Sequence, residues 1–275
     1  MTIVNDNELA VVGLQRCGQH ALIHWILAQG RGRRVFLNDV RALSNPFASF
    51  SSGEFETRGL WRFDPRAERE GRLTRKRWLV YNYEDGPPGE PFQPEFERRR
   101  AEWLGPSARR FSLIVLRDPF NFFASRLRWA RSPSAGWSKL PLRGELARDM
   151  LTGLWKAHAR EYLGDTRHLP EEKVVVSYNR FVAERDYRRA LAARLGLHFS
   201  DRGRAHVPDY GPGSSFDGRR FHWRAQRMRV LERFRHFAGD AFYRAIFDDE
   251  ELLDLSRRAF GRVAGSEAVC GARAA

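Results

Sequence analysis

The sequence places a single arginine in a short turn between an apolar run and a helical pattern. In "VVGLQRCGQHALIHWI", residues 11–26, Gly13 and Gly18 flank a segment whose only cation is Arg16. A turn of this kind can present backbone N–H groups and a helix N-terminus to an anion. Arginine adds a planar fork of donors that suits phosphate or sulfonate oxygens. We therefore predict that this loop binds a phosphate or a similar anion.

The same loop departs from that of the P-loop proteins that hydrolyse ATP. Those proteins place Lys and then Ser or Thr after the second glycine, and the hydroxyl holds Mg²⁺. Here the two positions are Gln19 and His20, so the side chains that support magnesium–ATP hydrolysis are missing. Two interpretations remain open: a loop for another phosphate-bearing ligand, or an ordinary strand–turn–helix connection with a surface arginine.

A second pair of residues could hold a phosphate. In "LRDPFNFFASRL", residues 116–127, Arg117 ends an apolar run and Ser125 lies eight residues later, two turns into the helix that follows. A guanidinium and a hydroxyl in these places could grip one phosphate from two sides. The alternative is an Arg–Asp pair that caps the strand and a serine that faces solvent.

Together the two motifs resemble the cofactor-binding signatures of the sulfotransferases that use 3′-phosphoadenosine 5′-phosphosulfate (PAPS). In that family the first loop binds the 5′-phosphosulfate and carries Lys or Arg, then Ser or Thr, Gly, and Thr or Asn. Here it reads Arg16-Cys17-Gly18-Gln19. Arginine replaces the commoner lysine, and we favour the cysteine as an isostere of serine over an oxidisable thiol.

The resemblance runs from residue 8 to about residue 196, with weaker similarity from there to the end of the chain. The family's Arg-Asp-Pro motif, with its Ser six residues after the Pro, binds the 3′-phosphate. The segment "VVVSYNRF", residues 174–181, resembles the family's segment whose tyrosine lies near the adenine. Residues 213–216 and 219–220 loosely match the family's loop that covers the cofactor. The implied cofactor-binding residues are Arg16, Cys17, Gly18, Gln19, His20, Arg117, Ser125 and Tyr178.

The implied reaction moves a sulfuryl group in line from PAPS to an acceptor hydroxyl or amine and releases 3′,5′-ADP, with no metal required. Arg16 would stabilise the charge on the bridging oxygen. The general base is expected among acidic residues at strand ends, where Asp39 and Glu84 rank above Asp85. Each of these three could instead cap a helix or pair with an arginine.

The acceptor is less defined by the sequence. Residues 44–75 lack periodicity, and we expect them and residues 131–143 to form acceptor-side loops. Their Arg, Trp and Phe content suits a sugar, an anionic glycan or another small molecule, and it could equally cover the sheet.

Strand and helix patterns alternate along the chain. Strands are predicted at 8–13, 33–40, 77–85, 110–118 and 172–178, and helices at 18–28, 94–103, 119–130, 144–163, 180–195, 219–236 and 249–261. Several strands are continuous apolar runs, which is typical of a parallel sheet covered on both faces. We predict one α/β domain over residues 1–275, and the resemblance implies a three-layer sandwich with the P-loop-like sulfotransferase fold.

The composition favours anionic binding partners but does not identify a particular one. The chain has 275 residues, 42% of them hydrophobic, and a formal net charge of +14 that comes almost entirely from arginine. Such a balance favours anionic partners. The two cysteines, the lack of a signal-peptide pattern and the absence of a long apolar run predict a cytoplasmic protein with no membrane span.

Three other functions compete with PAPS-dependent transfer. A basic nucleic-acid-binding protein is disfavoured because the arginines are dispersed and no recognition pattern is present, so we expect no specific nucleic-acid partner. A P-loop nucleotide kinase is disfavoured by the missing Lys-Ser/Thr pair. A P-loop-fold protein that binds nucleotide without transferring a group remains open.

Overall fold

A central sheet organises the computed structural model, which describes residues 2–55, 60–61, 71–133, 136, 139–170, 172–208 and 213–271. Across these residues the sheet has seven strands in the order β4-β3-β2-β5-β1-β6-β7. The strands are β1 (Asn5–Gly13), β2 (Arg34–Asn38), β3 (Ser52–Phe55), β4 (Leu60–Trp61), β5 (Lys76–Glu84), β6 (Ser107–Leu116) and β7 (Lys173–Ser177).

Five of the strands run parallel, and this orientation creates the site. β2, β5, β1, β6 and β7 pair in parallel, whereas β3 and β4 add antiparallel at one edge. The carboxyl ends of parallel strands meet at one edge of the sheet, where ligands of open α/β folds bind. The loop after Gly13, the turn at Asp39, the end of β5 at Glu84 and Arg117 after β6 therefore all lie at that edge.

Helices lie between the strands as far as β7 and make up most of the regular structure after it. They are α1 (Gln19–Gln29), α2 (Pro46–Ser49), α3 (Pro94–Leu104), α4 (Pro119–Ala130), α5 (Gly144–Leu163), α6 (Tyr178–Ala183), α7 (Arg185–Arg194), α8 (Ala241–Arg244), α9 (Glu250–Phe260) and α10 (Glu267–Cys270). Asp118 caps α4 by accepting a hydrogen bond from the Asn121 amide at 2.8 Å, with Pro119 in the first helical position. None of the helices in the described ranges is long and apolar enough to span a bilayer.

The sheet separates two hydrophobic cores. Because side chains alternate along a strand, Val11 packs in one core with Trp25 of α1 and Phe123 of α4. Its neighbour Val12 packs in the other core with Phe96 of α3. This arrangement confirms the predicted α/β class with a mainly parallel sheet between two helical layers.

Residues 44–75 are more regular than the sequence predicted. Within this segment, α2 and β3 are ordered elements, and β3 pairs antiparallel with β2, with Leu37 opposite Gly53 and Asn38 opposite Ser52. The prediction of an irregular segment was wrong here because a four-residue strand with the sequence SGEF is too short to show the alternation that marks a half-buried strand. Residues 56–59 and 62–70 lie outside the described residues.

The single helix predicted at 180–195 is two helices. α6 begins at Tyr178 and ends before Glu184, whose backbone is extended at φ −109° and ψ 118°. The Arg188 guanidinium, buried behind this break, donates to the carbonyls of Phe181 (2.8 Å) and Glu184 (3.1 Å). A side chain thus takes carbonyls that a continuous helix would have used for its own backbone.

The helix predicted at 219–236 was wrong. That segment holds turns and two short 3₁₀ segments, Ala225–Arg227 and Arg233–Phe237. The Asn121 side chain accepts from the Arg233 amide at 2.8 Å and donates to the Leu231 carbonyl at 3.1 Å. Backbone groups that a helix would pair internally are bound instead by side chains from other elements.

Candidate functional site

The loop after β1 turns sharply at two residues with left-handed backbones. Arg16 has φ 72° and Gly18 has φ 96°, and the Cys17 amide donates to the Leu14 carbonyl at 3.0 Å. The first helical bond of α1 is donated by Ala21 to the Gly18 carbonyl at 3.1 Å. The amides before Ala21 therefore have no partner inside the helix, and they form the positive end of its dipole.

Gly18 is required by the ring of Tyr178. A Cβ added at Gly18 would lie 2.1 Å from that ring, in addition to the cost of a positive φ. Tyr178 begins α6 directly after β7 and is 8% exposed. The structure thus brings the predicted adenine residue onto the predicted phosphate loop.

Arg117 joins the two sequence motifs. Its Nη1 atom donates to the Arg16 carbonyl at 3.1 Å and to Ser125 Oγ at 3.0 Å, and its Nη2 atom donates to the Val230 carbonyl. Arg117 and Ser125 are both buried. Segments a hundred residues apart in sequence therefore meet through one guanidinium.

Arg233 also contacts Ser125, so it forms one buried cluster with Arg117 and Ser125 beside the Arg16 loop. Sequence reasoning missed this residue. Its Nη1 atom donates to Ser125 Oγ at 3.2 Å and its Nη2 atom to Ser214 Oγ at 2.8 Å. Burial and the nearby charge of Arg117 lower the pKa of Arg233 to about 10. No pattern in a chain so rich in arginine distinguished this one.

The turn at 213–217 covers the arginine of the phosphate loop. Arg16 Nη2 donates to the Gly213 carbonyl at 3.0 Å, and Arg16 Nε donates to Ser215 Oγ at 3.3 Å. The sequence matched this turn loosely to a loop that covers the cofactor, and that match stays a prediction. Arg219 and Arg220, matched with it, are exposed residues, and Arg233 is the late arginine that contacts Ser125.

The cluster suits an anion. Burial and then the charge of Arg233 lower the pKa of Arg16 to about 9, with Arg126 and Arg117 adding to the same effect. Arg117 Nε is buried and has no hydrogen-bond partner among the described residues. Buried guanidinium groups that crowd together are stabilised by negative charge, so the residues present fit a phosphate-bearing ligand.

Gln19 and His20 turn toward acidic and amide groups. Gln19 Nε2 donates to Glu84 Oε1 at 2.5 Å, and Asn82 Nδ2 donates to the same oxygen at 3.3 Å. His20 Nε2 lies 2.7 Å from Asn38 Oδ1 and 3.4 Å from Glu84 Oε1. These side chains connect the phosphate loop to the end of β5.

Asp39 lies at the end of β2 with an unusual backbone. Its φ is 52°, and its amide donates to Asn82 Oδ1 at 2.9 Å. Its carboxylate pairs with Lys139. Burial and the charge of Glu84 raise the pKa of Asp39, and Lys139 opposes that rise.

Asp85, the third acidic candidate, is fully engaged. It pairs with Arg126 at 2.8 Å, and both side chains are almost completely buried. Asp85 Oδ1 also accepts from the Gln15 amide at 2.9 Å, and Arg126 Nη2 donates to the Leu140 carbonyl. This pair therefore ties the phosphate loop to β5, α4 and the segment after residue 138.

A cavity of about 170 Å³ lies beside the acidic residues. It is lined by Val12, Val40, Arg41, Ala42, Tyr83, Glu84, Asp85, Gly86, Pro87, Glu90, Pro91 and Lys139. Of the predicted acceptor-side loop 131–143, residues 134–135 and 137–138 lie outside the described residues, and Lys139 reaches the cavity.

Within the described ranges, no group of three or more His, Cys, Asp and Glu side chains is arranged to hold a metal ion.

Cys17 is expected to resist alkylation in the folded protein. The residue is 2% exposed, and burial raises the pKa of its thiol to about 12, so the reactive thiolate is scarce at pH 8. Iodoacetamide followed by peptide mass spectrometry should leave Cys17 unlabelled until guanidinium chloride is added. Rapid labelling of Cys17 in the folded state would contradict this environment and would favour a redox-active thiol.

Comparison with known proteins gives similarity at the level of the fold. No family model matches the chain, and no curated protein matches it. Among solved structures, mouse sulfotransferase SULT7A1 complexed with PAP is similar in fold, with 13% sequence identity and a TM-score of 0.43. The match covers 71% of this chain and 60% of that one. At this distance the similarity concerns the fold alone, and the function has to be inferred from this chain's own residues.

Proposed function

We propose that this protein is a sulfotransferase that moves a sulfuryl group from PAPS to a hydroxyl or amine of a small-molecule or carbohydrate acceptor. The observation that carries the proposal is the bridge made by Arg117, whose Nη1 atom contacts both the phosphate-loop carbonyl of Arg16 and Ser125 Oγ. Two anion-binding motifs at one sheet edge suit a nucleotide with phosphates at two ends.

Each end of the nucleotide has its own set of residues. Arg117, Ser125 and Arg233 would hold the 3′-phosphate, since two guanidinium groups already converge on the serine hydroxyl. The loop amides and Arg16 would hold the 5′-phosphosulfate, and Tyr178 would pack against the adenine. The bound cofactor supplies the sulfuryl group and a leaving group, 3′,5′-ADP.

Arg16 acts by charge. A pKa of about 9 keeps its guanidinium protonated near neutral pH, so it stabilises negative charge on the departing oxygen without giving up a proton. The amides at the start of α1 add donors at the same place. This stabilisation grows as charge develops, which lowers the barrier more than it tightens binding.

Of the three acidic candidates, we assign the role of general base to Asp39. Glu84 accepts hydrogen bonds from Gln19 and Asn82 and so ties the phosphate loop to the end of β5, and we assign it a positioning role. Asp85 is neutralised by Arg126. Asp39 has a raised pKa, which suits proton abstraction.

Replacing Asp39 with Asn is expected to lower transfer about 10²- to 10⁴-fold, the usual range for losing a positioned base. Binding of 3′,5′-ADP should stay within about twofold of wild type, because Asp39 is not among the residues that hold the nucleotide. The measurement is 3′,5′-ADP release from PAPS with an acceptor found in a screen of sugars, phenols and amines.

The pH profile supplies the control for this assignment. Transfer should fall as the pH drops through the raised pKa of Asp39, because the base must be deprotonated. Lys139→Met removes the cation that lowers this pKa and should move the acidic limb to higher pH. If Lys139→Met does not move the acidic limb of the pH profile, then a residue other than Asp39 is the base.

Calorimetric titration of the wild-type protein tests the proposal. 3′,5′-ADP and 5′-ADP have the same composition and differ in where the second phosphate sits, so most of the general attraction to a basic protein is common to both. We expect at least a tenfold preference for 3′,5′-ADP. Equal affinities would contradict the proposal, and tight, salt-steep binding of a DNA duplex would favour a nucleic-acid-binding protein.

A protein that binds nucleotide without transfer is the second candidate. The observation that favours it is the engagement of Gln19 and His20 with Glu84 and Asn38, which gives this loop a side-chain chemistry different from the Thr pair or Asn of the family that it resembles. A clear preference for 3′,5′-ADP together with no turnover of PAPS across the acceptor screen would establish it.

A further inference from the structure

The Arg16 guanidinium stacks on an indole. We propose that Trp129 is a positioning residue that fixes the plane of Arg16 and so aims its free edge at the 5′-phosphosulfate. This inference rests on the proposed function for the identity of the ligand. The contact itself is a property of the chain, so it is open to a test that needs no ligand.

The contact is close and well supported. The Arg16 Cζ atom lies 4.0 Å from the centroid of the Trp129 ring, and Trp129 is 6% exposed. Trp129 lies one turn after Ser125 on α4, so both residues share a helix face. One face of α4 thus offers a hydroxyl to Arg117 and an aromatic face to Arg16.

The electrostatics explain why Arg16 needs this platform. Burial and the charges of Arg233, Arg126 and Arg117 lower the pKa of Arg16, and the charge of Glu84 only partly opposes them, so the surroundings disfavour the Arg16 cation where it sits. The negative face of an aromatic ring favours a cation stacked on it, most strongly when both are desolvated. Trp129 therefore offsets part of the repulsion without competing for the ligand as a carboxylate would.

The remaining contacts of Arg16 complete its orientation. Nε and Nη2 donate to the turn at Ser215 and Gly213, while Nη1 makes no hydrogen bond to the residues that the structure describes. With the Trp129 ring against Cζ and acceptors at Nε and Nη2, Nη1 is left to donate to a ligand. A lysine ammonium has no plane to stack, so Arg16→Lys would not reproduce this geometry.

A double-mutant cycle tests whether Trp129 acts through Arg16. Binding of 3′,5′-ADP is measured for Trp129→Leu in the wild-type and the Arg16→Ala backgrounds. We expect about a tenfold loss in the wild type and less than a twofold change once Arg16 is gone. Trp129→Phe keeps an aromatic face and should recover part of the loss. The same loss in both backgrounds would show that Trp129 only packs, and would overturn the inference.

A chemical probe tests the contact without a nucleotide. Phenylglyoxal modification of Arg16, followed by mass spectrometry, should be at least about fivefold faster in Trp129→Leu than in the wild type, and Trp129→Phe should lie between them. Arg98, exposed on α3, is the internal control and should not change. Equal rates at Arg16 would overturn the inference, whereas failure of the wild type to prefer 3′,5′-ADP would overturn the proposed function alone.

Discussion

Replacement of Arg117 by alanine is expected to weaken 3′,5′-ADP binding by roughly 30-fold to more than 1,000-fold. The reason is that removing one partner of a buried, charged hydrogen-bonded pair costs about 2–5 kcal/mol. Arg117 is 2% exposed and donates to the Arg16 carbonyl, Ser125 and the Val230 carbonyl, so its loss also removes this donor from the two carbonyls. Affinity for 5′-ADP should change much less, and calorimetry measures both.

Two further variants separate binding from folding. Ser125→Ala removes a hydroxyl without changing charge and should cost about tenfold in 3′,5′-ADP affinity. Arg98→Ala removes an exposed positive charge on α3 and should have no effect. Thermal unfolding of each variant shows whether it is folded. A folded Arg117→Ala protein that binds 3′,5′-ADP as tightly as wild type would show that the nucleotide does not use this cluster.

The second large effect is expected on stability, at the pair formed by Asp85 and Arg126. Asp85→Ala should lower the free energy of unfolding by about 3–5 kcal/mol, because it leaves the Arg126 charge buried without its partner. The Gln15 amide would lose its acceptor at the same time. Urea unfolding followed by circular dichroism measures the change.

An exposed ion pair provides the matched comparison. Asp186 pairs with Arg189 at 2.6 Å on the surface of α7, where 88% of the Asp186 side chain is exposed. Asp186→Ala should change stability by less than about 1 kcal/mol, as exposed pairs usually do. The double change Asp85→Leu with Arg126→Met removes both buried charges and should recover part of the loss. If Asp85→Ala and Asp186→Ala cost the same, the buried pair does not tie these elements together.

Much of the fold and one half of the site were accessible from the sequence. The central strands are recognisable as continuous apolar runs, because a strand that is buried on both faces carries few polar residues. Gly18 predicts a tight turn, and the structure shows that a Cβ at this position would clash with the Tyr178 ring. Arg117 and Ser125 were placed together because a strand end and the second turn of the next helix lie close whenever the two elements pack.

The other half depended on contacts that leave no local pattern. Arg233 reaches Ser125 from a segment with no regular structure, and its neighbours' backbone groups are bound by Asn121 rather than by a helix. Trp129 was one aromatic residue in an apolar helix, and only the packing shows that Arg16 stacks on it. Long-range pairing of this kind is decided by tertiary structure, which short sequence windows do not contain.

The acidic residues show the same limit. The sequence ranks Asp39 and Glu84 above Asp85 but does not choose between the first two, since all three lie at strand ends on the same edge of the sheet. The structure distinguishes them by their partners: Lys139 beside the first, Gln19 and Asn82 on the second, and Arg126 on the third. Their chemical roles follow from these partners and not from their spacing.

The most direct measurement compares two nucleotides that each carry one of the two phosphates. Calorimetric titration of Ser125→Ala and Arg16→Ala with 3′-AMP and with 5′-AMP asks whether each residue recognises its own end. The proposed site predicts that Ser125→Ala weakens 3′-AMP and spares 5′-AMP, whereas Arg16→Ala does the reverse. If both variants weaken both nucleotides equally, or neither, then the two motifs do not bind opposite ends of one bis-phosphorylated nucleotide.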